Sequence, residues 1–165
     1  FIRDVNNYIG EYTNGKVKRK GAYEYDIDWH QDHSALVVQK AAEAYLLKGT
    51  DIEDFLTNHN DIYDFMLRAK VPKSSKLMCG KEQMQNICRY YISKTGAQLV
   101  KVMPPLKDKV EDRPIKINGG WDAKVINTML PAEHIYHDID YRWYVEEAYK
   151  LVEPLYDGVL SELTA

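Results

Sequence analysis

The sequence lacks the patterns that mark most catalytic and metal sites. It contains no Gly-rich phosphate-binding loop, no nucleophile elbow and no Cys-x-x-Cys pair. Its two cysteines, Cys79 and Cys88, have no further ligands at metal-site spacing, so we expect free thiols in a reducing compartment rather than disulfides or a zinc site. The residues by themselves therefore predict no catalytic constellation.

Long apolar runs are also missing. No segment is apolar enough to cross a membrane, and the start F-I-R-D-V-N-N-Y does not resemble a signal peptide. We therefore expect a chain that works in the cytoplasm and has no membrane partner. The first residue is Phe1 rather than Met, which predicts either a processed chain or a piece cut from something longer.

Acidic and histidine clusters are weak candidates for a metal site. Asp51 and Glu53 match the D-x-E of metal-dependent exonucleases, but we predict them in the first turn of a helix, where acids stabilise the helix dipole. Two histidine pairs bring no third and fourth ligand in a recognisable pattern. These pairs are His30 with His33, around Asp32, and His134 with His137, beside Asp138. We therefore predict no metal in this chain, and a nuclease is the weakest of the functional hypotheses.

The composition is that of a folded chain with an unusual share of tyrosine. The chain has 165 residues, of which 45% are hydrophobic, and this suits one domain or one large subdomain. It contains 13 tyrosines against three phenylalanines and three tryptophans. Tyrosine has an apolar ring and a polar tip, so this excess indicates either half-buried edges or an interface with a partner.

The spacing of apolar residues predicts an α+β fold, with helices early and at the end and hairpins between them. The first helix is expected over 33–48, capped by Ser34 and ended by Gly49. Thr50 and Glu53 form a capping box for a second, short helix that ends at 58–60. A third helix is expected over 138–152, and its buried face is Ile139, Trp143, Ala148, Leu151 and Val152.

Two turn signals predict hairpins. Residues 5–13 and 16–25 read as strands around Asn14-Gly15, a pair typical of a two-residue type I′ turn. Residues 87–103 read as another hairpin around Thr95-Gly96. The other segments are an extended stretch at 62–71, an irregular one at 72–86, a charged loop at 106–114 and one or two short strands in 116–126.

A run of cations follows the first turn signal, although the chain has a formal net charge of -3. Lys16, Lys18, Arg19 and Lys20 fall within five positions. On a strand, Lys16, Lys18 and Lys20 share one face and Arg19 lies on the other. Such a strand is expected either to contact successive phosphates of a duplex or to be an edge strand that its lysines protect from aggregation.

A second basic cluster lies in the predicted irregular stretch. Lys70, Lys73 and Lys76 occur at intervals of three, with Ser74 and Ser75 among them. These side chains are donors for phosphate contacts, and a solvated loop is the other interpretation. Two basic clusters on an acidic chain favour a polyanionic partner.

The order of several short motifs resembles the C-terminal region of family B DNA polymerases, especially those of bacteriophages. The run V-N-N-Y-I-G-E-Y-T-N-G-K-V-K-R-K-G-A-Y-E-Y-D is similar to the end of the palm and its K-x-K-G hairpin. The segments W-H-Q-D-H-S-A-L-V-V-Q-K-A-A, Q-N-I-C-R-Y-Y-I-S-K-T-G-A-Q-L-V-K-V-M-P-P and D-I-D-Y-R-W-Y-V-E-E-A-Y-K-L-V-E-P-L are similar to the thumb and the C-terminal helix. The resemblance covers most of the chain.

This resemblance implies a palm end and hairpin at 1–26 and a thumb-like α+β domain at 27–165. It implies that Lys18, Lys20 and Gly21 contact a primer–template duplex, with Tyr8 as the palm tyrosine near the primer. Gly21 is expected to let the backbone approach the duplex closely. The partners implied are duplex DNA and the remainder of the polymerase, in the cytoplasm of a bacterial host.

The chain departs from the family at the positions that carry catalysis. The D-x-x-S-L-Y-P, D-T-D and K-x-x-x-N-S-x-Y-G motifs are missing, and Asn7 replaces the frequent Lys or Arg before Tyr8. We therefore predict a non-catalytic portion that holds no cofactor, with magnesium expected only in the palm that this sequence does not include. The alternative is a stand-alone phage protein, derived from a polymerase module, that binds or inhibits a host protein.

Overall fold

A computed structural model describes residues 1–24, 35–118 and 138–158, together with the backbone of 124–126. Helices and antiparallel sheets are mixed, which confirms the predicted α+β class. The helices are α1 (Leu36–Lys48), α2 (Ile52–Asn58) and α3 (Tyr141–Val152). The strands are β1 (Ile2–Asp4), β2 (Asn7–Glu11), β3 (Val17–Lys20), β4 (Leu67–Lys70), β5 (Lys76–Cys79), β6 (Glu82–Met84), β7 (Ile87–Ile92), β8 (Leu99–Met103), β9 (Arg113–Lys116) and β10 (Lys124–Ile126).

The contacts divide the described residues into two compact units. The first unit contains β1–β3 and all three helices, and the second contains β4–β10. The predicted boundary at residues 26 and 27 lies outside the described residues and stays a prediction. Within the described residues no helix is long and apolar enough to span a membrane.

The first unit packs a three-stranded sheet, in the order β1-β2-β3, with its three helices. The helix predicted over 33–48 is confirmed from Leu36 to Lys48, and Gly49 ends it in a left-handed conformation with φ 70°. Ser34 lies outside the described residues, and Ala35 at the helix start makes no side-chain cap. The core of this unit includes Ile2, Ile9, Leu36, Val37, Ala41, Ile52, Leu56, Tyr144 and Ala148.

The cap of α2 differs from the prediction. Asp51, not Thr50, precedes the helix, and its Oδ2 accepts a hydrogen bond of 3.1 Å from the Asp54 backbone N–H. A carboxylate satisfies an unpaired N–H and also faces the positive end of the helix dipole. The predicted Thr50–Glu53 capping box is therefore wrong by one residue, although Glu53 does lie in the first turn.

Helix α3 begins at Tyr141, later than predicted, and most of the expected buried face is confirmed. Trp143 and Ala148 are buried on the helix, whereas Ile139 is buried before it. Tyr144 is fully buried and was missed. Leu151 and Val152 at the C-terminal end of the helix are only half-buried.

The predicted first strand, 5–13, is strand only over Asn7–Glu11; Val5 and Asn6 form a turn, and β1, which the sequence did not predict, lies before it. The Asp4 carboxylate accepts hydrogen bonds from the Asn6 backbone N–H at 2.8 Å and from the Asn7 amide at 3.1 Å. These bonds also lower the pKa of Asp4, the Asn6 backbone bond most. A short carboxylate that bonds the backbone two residues on is a turn former, and it reverses the chain at Val5 and Asn6.

The second unit contains two sheets, in the orders β10-β7-β4 and β6-β5-β8-β9. The predicted hairpin over 87–103 is wrong, because β7 pairs with β4 and β10 while β8 pairs with β5 and β9. The irregular stretch at 72–86 contains the β5–β6 hairpin, which the sequence analysis missed. In the 62–71 segment a 3₁₀ turn, Ile62–Phe65, precedes β4.

The chain between β7 and β8 folds onto a buried carboxylate. Asp138 accepts hydrogen bonds from Tyr91 Oη at 3.1 Å, from Thr95 Oγ1 at 2.5 Å, and from Ser93 Oγ. Ser93 Oγ in turn accepts from the Gly96 backbone N–H at 2.8 Å. These bonds turn 93–96 towards Asp138, so the strands on either side enter different sheets.

Candidate nucleic-acid interface

The turn of the N-terminal hairpin has one residue more than predicted. The Gly15 backbone N–H donates to the Tyr12 carbonyl oxygen at 2.9 Å, and the Tyr12 N–H donates to the Lys16 carbonyl oxygen at 2.8 Å. Gly15 has φ 86°, whereas Asn14 does not have the positive φ that a type I′ turn requires. The loop is therefore the three-residue type, with Gly at the left-handed position.

This extra residue decides which side chains face each other across the hairpin. Lys18 lies opposite Gly10 and Lys20 opposite Tyr8, whereas Arg19 lies opposite Ile9. A two-residue turn would have placed Lys20 opposite Ile9, on the other face of the sheet, because a shift of one residue reverses the faces. The lysines thus share a face with Tyr8.

Lys16, Lys18 and Lys20 are all exposed, and none of them pairs with a carboxylate among the described residues. We call these three residues the lysine face. The nearest acid on the neighbouring strand, Glu11, lies opposite Val17 and therefore points to the other side of the sheet. The lysine face is thus a small area of positive charge that no acid of the described residues compensates.

Tyr8 forms the apolar floor beneath these cations. Its side chain is only 8% exposed, and the Lys18 ammonium lies over its ring at 5.7 Å from the centroid. A cation over an aromatic face is held by the ring quadrupole, which limits where the lysine points. Tyr8 therefore orients Lys18 in the free protein.

Arg19 does not join the lysines. It turns to the opposite face of β3 and forms an ion pair of 2.5 Å with Glu43 on α1. A groove of about 470 Å³ lies on this side of the hairpin, between it and α1, and Phe55 and Lys48 are among its lining residues. The structure thus places Arg19 where it fastens the hairpin to the helix, with its charge compensated by an acid of the same chain.

Gly21 ends β3 at a position that only glycine fits. Its φ is 67°, and a Cβ built on it would overlap the Asn6 carbonyl oxygen and Asn7 Oδ1. The same Oδ1 accepts a hydrogen bond of 3.0 Å from the Ala22 backbone N–H. This close approach within the chain explains the glycine, whereas the sequence analysis assigned it to an approach to DNA. It also ends the strand early, because 21–23 form a 3₁₀ turn.

The second basic cluster lies on the connection between β4 and β5. Lys70, Lys73 and Lys76 are all exposed, and no described acid pairs with them. The turn between them is closed by a hydrogen bond of 3.0 Å from the Ser75 backbone N–H to the Pro72 carbonyl oxygen. Ser75 itself is buried, and its Oγ has no hydrogen-bond partner among the residues that the structure describes. The Ser75 hydroxyl is therefore not accessible to a phosphate, in contrast to the prediction.

The candidate Asp51 and a second acid, Asp64, which was not a candidate, have structural roles. Asp51 caps α2, as described above. Asp64 is buried and accepts from His59 Nε2 at 2.6 Å and Lys40 Nζ at 2.8 Å. Burial acts to raise the pKa of Asp64, but the hydrogen bonds from His59 and Lys40 outweigh it and hold this pKa below its ordinary value.

Neither a metal cluster nor an activated thiol is found in the part of the chain that the structure describes. No three His, Cys, Asp or Glu side chains there group as metal ligands. The candidates His30, His33, His134 and His137 lie outside the described residues. Cys79 and Cys88 form no disulfide, and burial, with a smaller effect of Cys79, raises the pKa of Cys88 to about 11. That thiol is therefore protonated and unreactive at neutral pH.

Sequence reasoning missed the residues that support the hairpin from a distance. Glu43 is 24 positions from Arg19, and Asn7 is 15 positions from Ala22. No spacing of neighbouring residues predicts such pairs, although the single Glu among the apolar residues of α1 indicated that this helix pairs with a cation.

The chain matches no protein-family profile, no curated protein and no solved structure.

Proposed function

We propose that this chain grips duplex DNA through the lysine face of its N-terminal hairpin. In this proposal it is the primer–template-binding palm end and thumb of a bacteriophage-type family B DNA polymerase, and it is not catalytic by itself. Lys70, Lys73 and Lys76 are a second area that is proposed to contact phosphates. The resemblance of the motifs and the exposed cations support the proposal together.

The observation that carries the proposal is the lysine face itself. Lys18 and Lys20 project from one side of β3, and Lys16 directly precedes this strand; residues two positions apart are about 6.8 Å apart along an antiparallel strand. A DNA duplex presents one negative charge per about 1.7 Å of its axis, so each flexible lysine has a phosphate within reach. None of the three is paired with a carboxylate among the described residues, so no ion pair in that part of the chain competes with a phosphate.

The competing explanation is that β3 is an edge strand whose lysines prevent aggregation. β3 does lie at the edge of its sheet, so both explanations account for the exposed cations. They differ in what the lysines bind. Edge protection predicts no affinity for a duplex above that of any other exposed lysines on the molecule.

The test is fluorescence anisotropy with duplexes of several sequences, between 50 and 200 mM salt. If the wild type makes three phosphate contacts, the slope of log K against log salt is expected to be about −2.7. A variant that has lost two of these contacts is expected to have a slope of about −0.9. We expect the double variant Lys18→Ala, Lys20→Ala to lose about tenfold or more in affinity at 50 mM, equally for all sequences.

The matched control is the double variant Lys48→Ala, Lys109→Ala, which removes two exposed lysines from other places. It is expected to keep the slope and to lose less than about twofold in affinity. The circular dichroism of both variants reports whether they are folded. If the two double variants lose affinity equally, or if the wild type does not bind, the hairpin is not the duplex-binding element.

A second candidate function, binding of a host protein, rests on the exposed tyrosines. Among the described residues of the first unit, five tyrosines are at least 37% exposed, namely Tyr12, Tyr45, Tyr63, Tyr149 and Tyr156. Tyrosine is enriched at the centre of protein interfaces. This function predicts a complex with one host protein that survives nuclease treatment and is insensitive to Lys18→Ala with Lys20→Ala.

A further inference from the structure

A groove of the first unit lies between the hairpin and α1, on the side of the sheet away from the lysine face. Residues opposite each other on paired strands point to the same face, so Ile9 and Arg19 share this side with Glu11 and Val17. Ile9 is buried, whereas Glu11, two residues nearer the turn, is exposed. The hairpin is therefore packed on the unit at Ile9 and open towards the turn, where the groove of about 470 Å³ remains.

The walls of this groove are apolar side chains that the core covers only in part. The residues of α1 that line it recur at intervals of three and four, which places them on one face of the helix. The apolar lining residues of the hairpin and of the helices are Val17, Ala44, Leu47 and Phe55. All four are half-buried, so each keeps apolar surface that faces the groove. Small-molecule sites are concave, mostly apolar and about 300–1,000 Å³ in volume, and the groove is of this kind.

Two ion pairs neutralise most of the charge that lines the groove. Arg19 pairs with Glu43 at 2.5 Å, and Lys40 pairs with a buried aspartate at 2.8 Å. The other two charged lining residues are Glu11 on β2 and Lys48 on α1. Both are exposed, and neither forms an ion pair among the described residues. The groove thus offers one carboxylate on its hairpin wall and one ammonium group on its helix wall.

We propose that the groove binds a small zwitterion with an apolar body, namely an apolar amino acid or a short apolar peptide with free ends. The apolar body packs against the half-buried wall residues. The ammonium group of the ligand pairs with the Glu11 carboxylate, and its carboxylate pairs with the Lys48 ammonium group. A nucleic acid is disfavoured here because Glu11 repels its phosphates, and a ligand with a single charge leaves Glu11 or Lys48 without a partner.

The test is an NMR titration of the whole chain with two probes, phenylalanine and a tripeptide of leucine, phenylalanine and leucine. Both carry the same two charges on bodies of different length, so they distinguish a free amino acid from a short peptide as the ligand. We expect at least one probe to bind with a Kd of about 1 mM or below and to shift the amide signals of Val17, Leu47 and Phe55. No binding of either probe up to about 1 mM, or signals that shift elsewhere, overturns the proposal.

End-blocked forms of the bound probe test which charge each residue holds. An acetylated amino end and Glu11→Gln each remove one half of the same contact. Each is therefore expected to lower the affinity about threefold, and both together no more than either alone. An amidated carboxyl end and Lys48→Gln are expected to behave in the same way. Losses that multiply within such a pair mean that the ligand end binds elsewhere, and they overturn the proposal.

The double variant Glu11→Gln, Lys48→Gln is expected to lose about tenfold in affinity for the unblocked probe. Its matched control is Lys81→Gln with Glu82→Gln, which removes the same two charges from exposed positions of the second unit and is expected to lose less than about twofold. Circular dichroism reports whether both variants are folded. Equal losses in the two variants overturn the proposal.

The proposal is independent of duplex binding, because the groove and the lysine face lie on opposite sides of the hairpin. We therefore expect the variant Lys18→Ala, Lys20→Ala to bind the probe as the wild type does. We also expect Lys48→Gln to keep its affinity for duplex DNA, so that failure of one proposal is not failure of the other.

Discussion

Replacing Gly21 by alanine tests whether the hairpin is held by the close approach of its own backbone. Gly21 has φ 67°, and alanine in the left-handed region costs about 1 kcal/mol. A Cβ here also overlaps the Asn6 carbonyl oxygen and Asn7 Oδ1. The atoms it meets are backbone and a bonded side chain, so relief requires movement of the β1–β2 turn and loss of the Ala22–Asn7 hydrogen bond, which is worth about 1 kcal/mol.

We therefore expect Gly21→Ala to lower the free energy of unfolding of the first unit by about 3 kcal/mol, from conformation, overlap and the lost hydrogen bond together. Gly49→Ala is the matched control. Gly49 has nearly the same φ, 70°, but a Cβ there has no atom within 4 Å. Only the conformational cost applies, so we expect about 1 kcal/mol.

Urea unfolding followed by circular dichroism measures both variants, with the m-value as a check that the unfolded surface is unchanged. A difference of about 2 kcal/mol between Gly21→Ala and Gly49→Ala is the cost of the close approach. If the two variants are equally destabilised within about 0.5 kcal/mol, the hairpin accommodates a side chain at Gly21 and the close approach is not a constraint.

Two buried carboxylates give further predictions. Because the pKa of Asp64 is lowered on folding, its stabilisation is present above the unfolded pKa of about 3.9 and is lost as pH falls through the folded pKa. Asp64→Asn weakens the bonds from His59 and Lys40. It should therefore lower the free energy of unfolding by about 2 kcal/mol at pH 7 and by much less at acid pH, as measured by thermal melts over a series of pH values. A loss of stability that does not change with pH refutes this prediction. Asp138→Asn should lower the free energy of unfolding by about 2 kcal/mol, because several hydroxyls lose their shared acceptor. Thr95→Val should lower it by less, so equal melting temperatures for the two variants would contradict this.

Elements whose cause is local could be read from the sequence. Helices α1 and α3 have apolar residues at helical spacing, and Gly49 stops α1 because the chain needs a left-handed residue there. The alternation of Lys18 and Arg19 between faces of β3 is confirmed, since it depends only on the geometry of a strand. Such features involve neighbours within a few residues.

Pairing between strands could not be read in this way. β7 and β8 follow each other like the arms of a hairpin, but each finds other partners because the Asp138 carboxylate draws the intervening turn towards itself across 43 to 47 positions. The register of the first hairpin depends on whether its loop has two or three residues, and Asn14-Gly15 is compatible with both. For β7 and β8 the deciding contacts join residues that are far apart in the chain. For the first hairpin the two loop lengths are nearly equal in energy.

By itself, the sequence determined the α+β class, the position of α1 and the exposure of lysines 16, 18 and 20, because composition and periodicity act on each residue's immediate surroundings. Tertiary structure alone decided that Arg19 pairs with Glu43 and that Gly21 serves the approach of Asn6 and Asn7. These outcomes require residues far apart in the chain to meet, and their free energy exists only once the chain has folded.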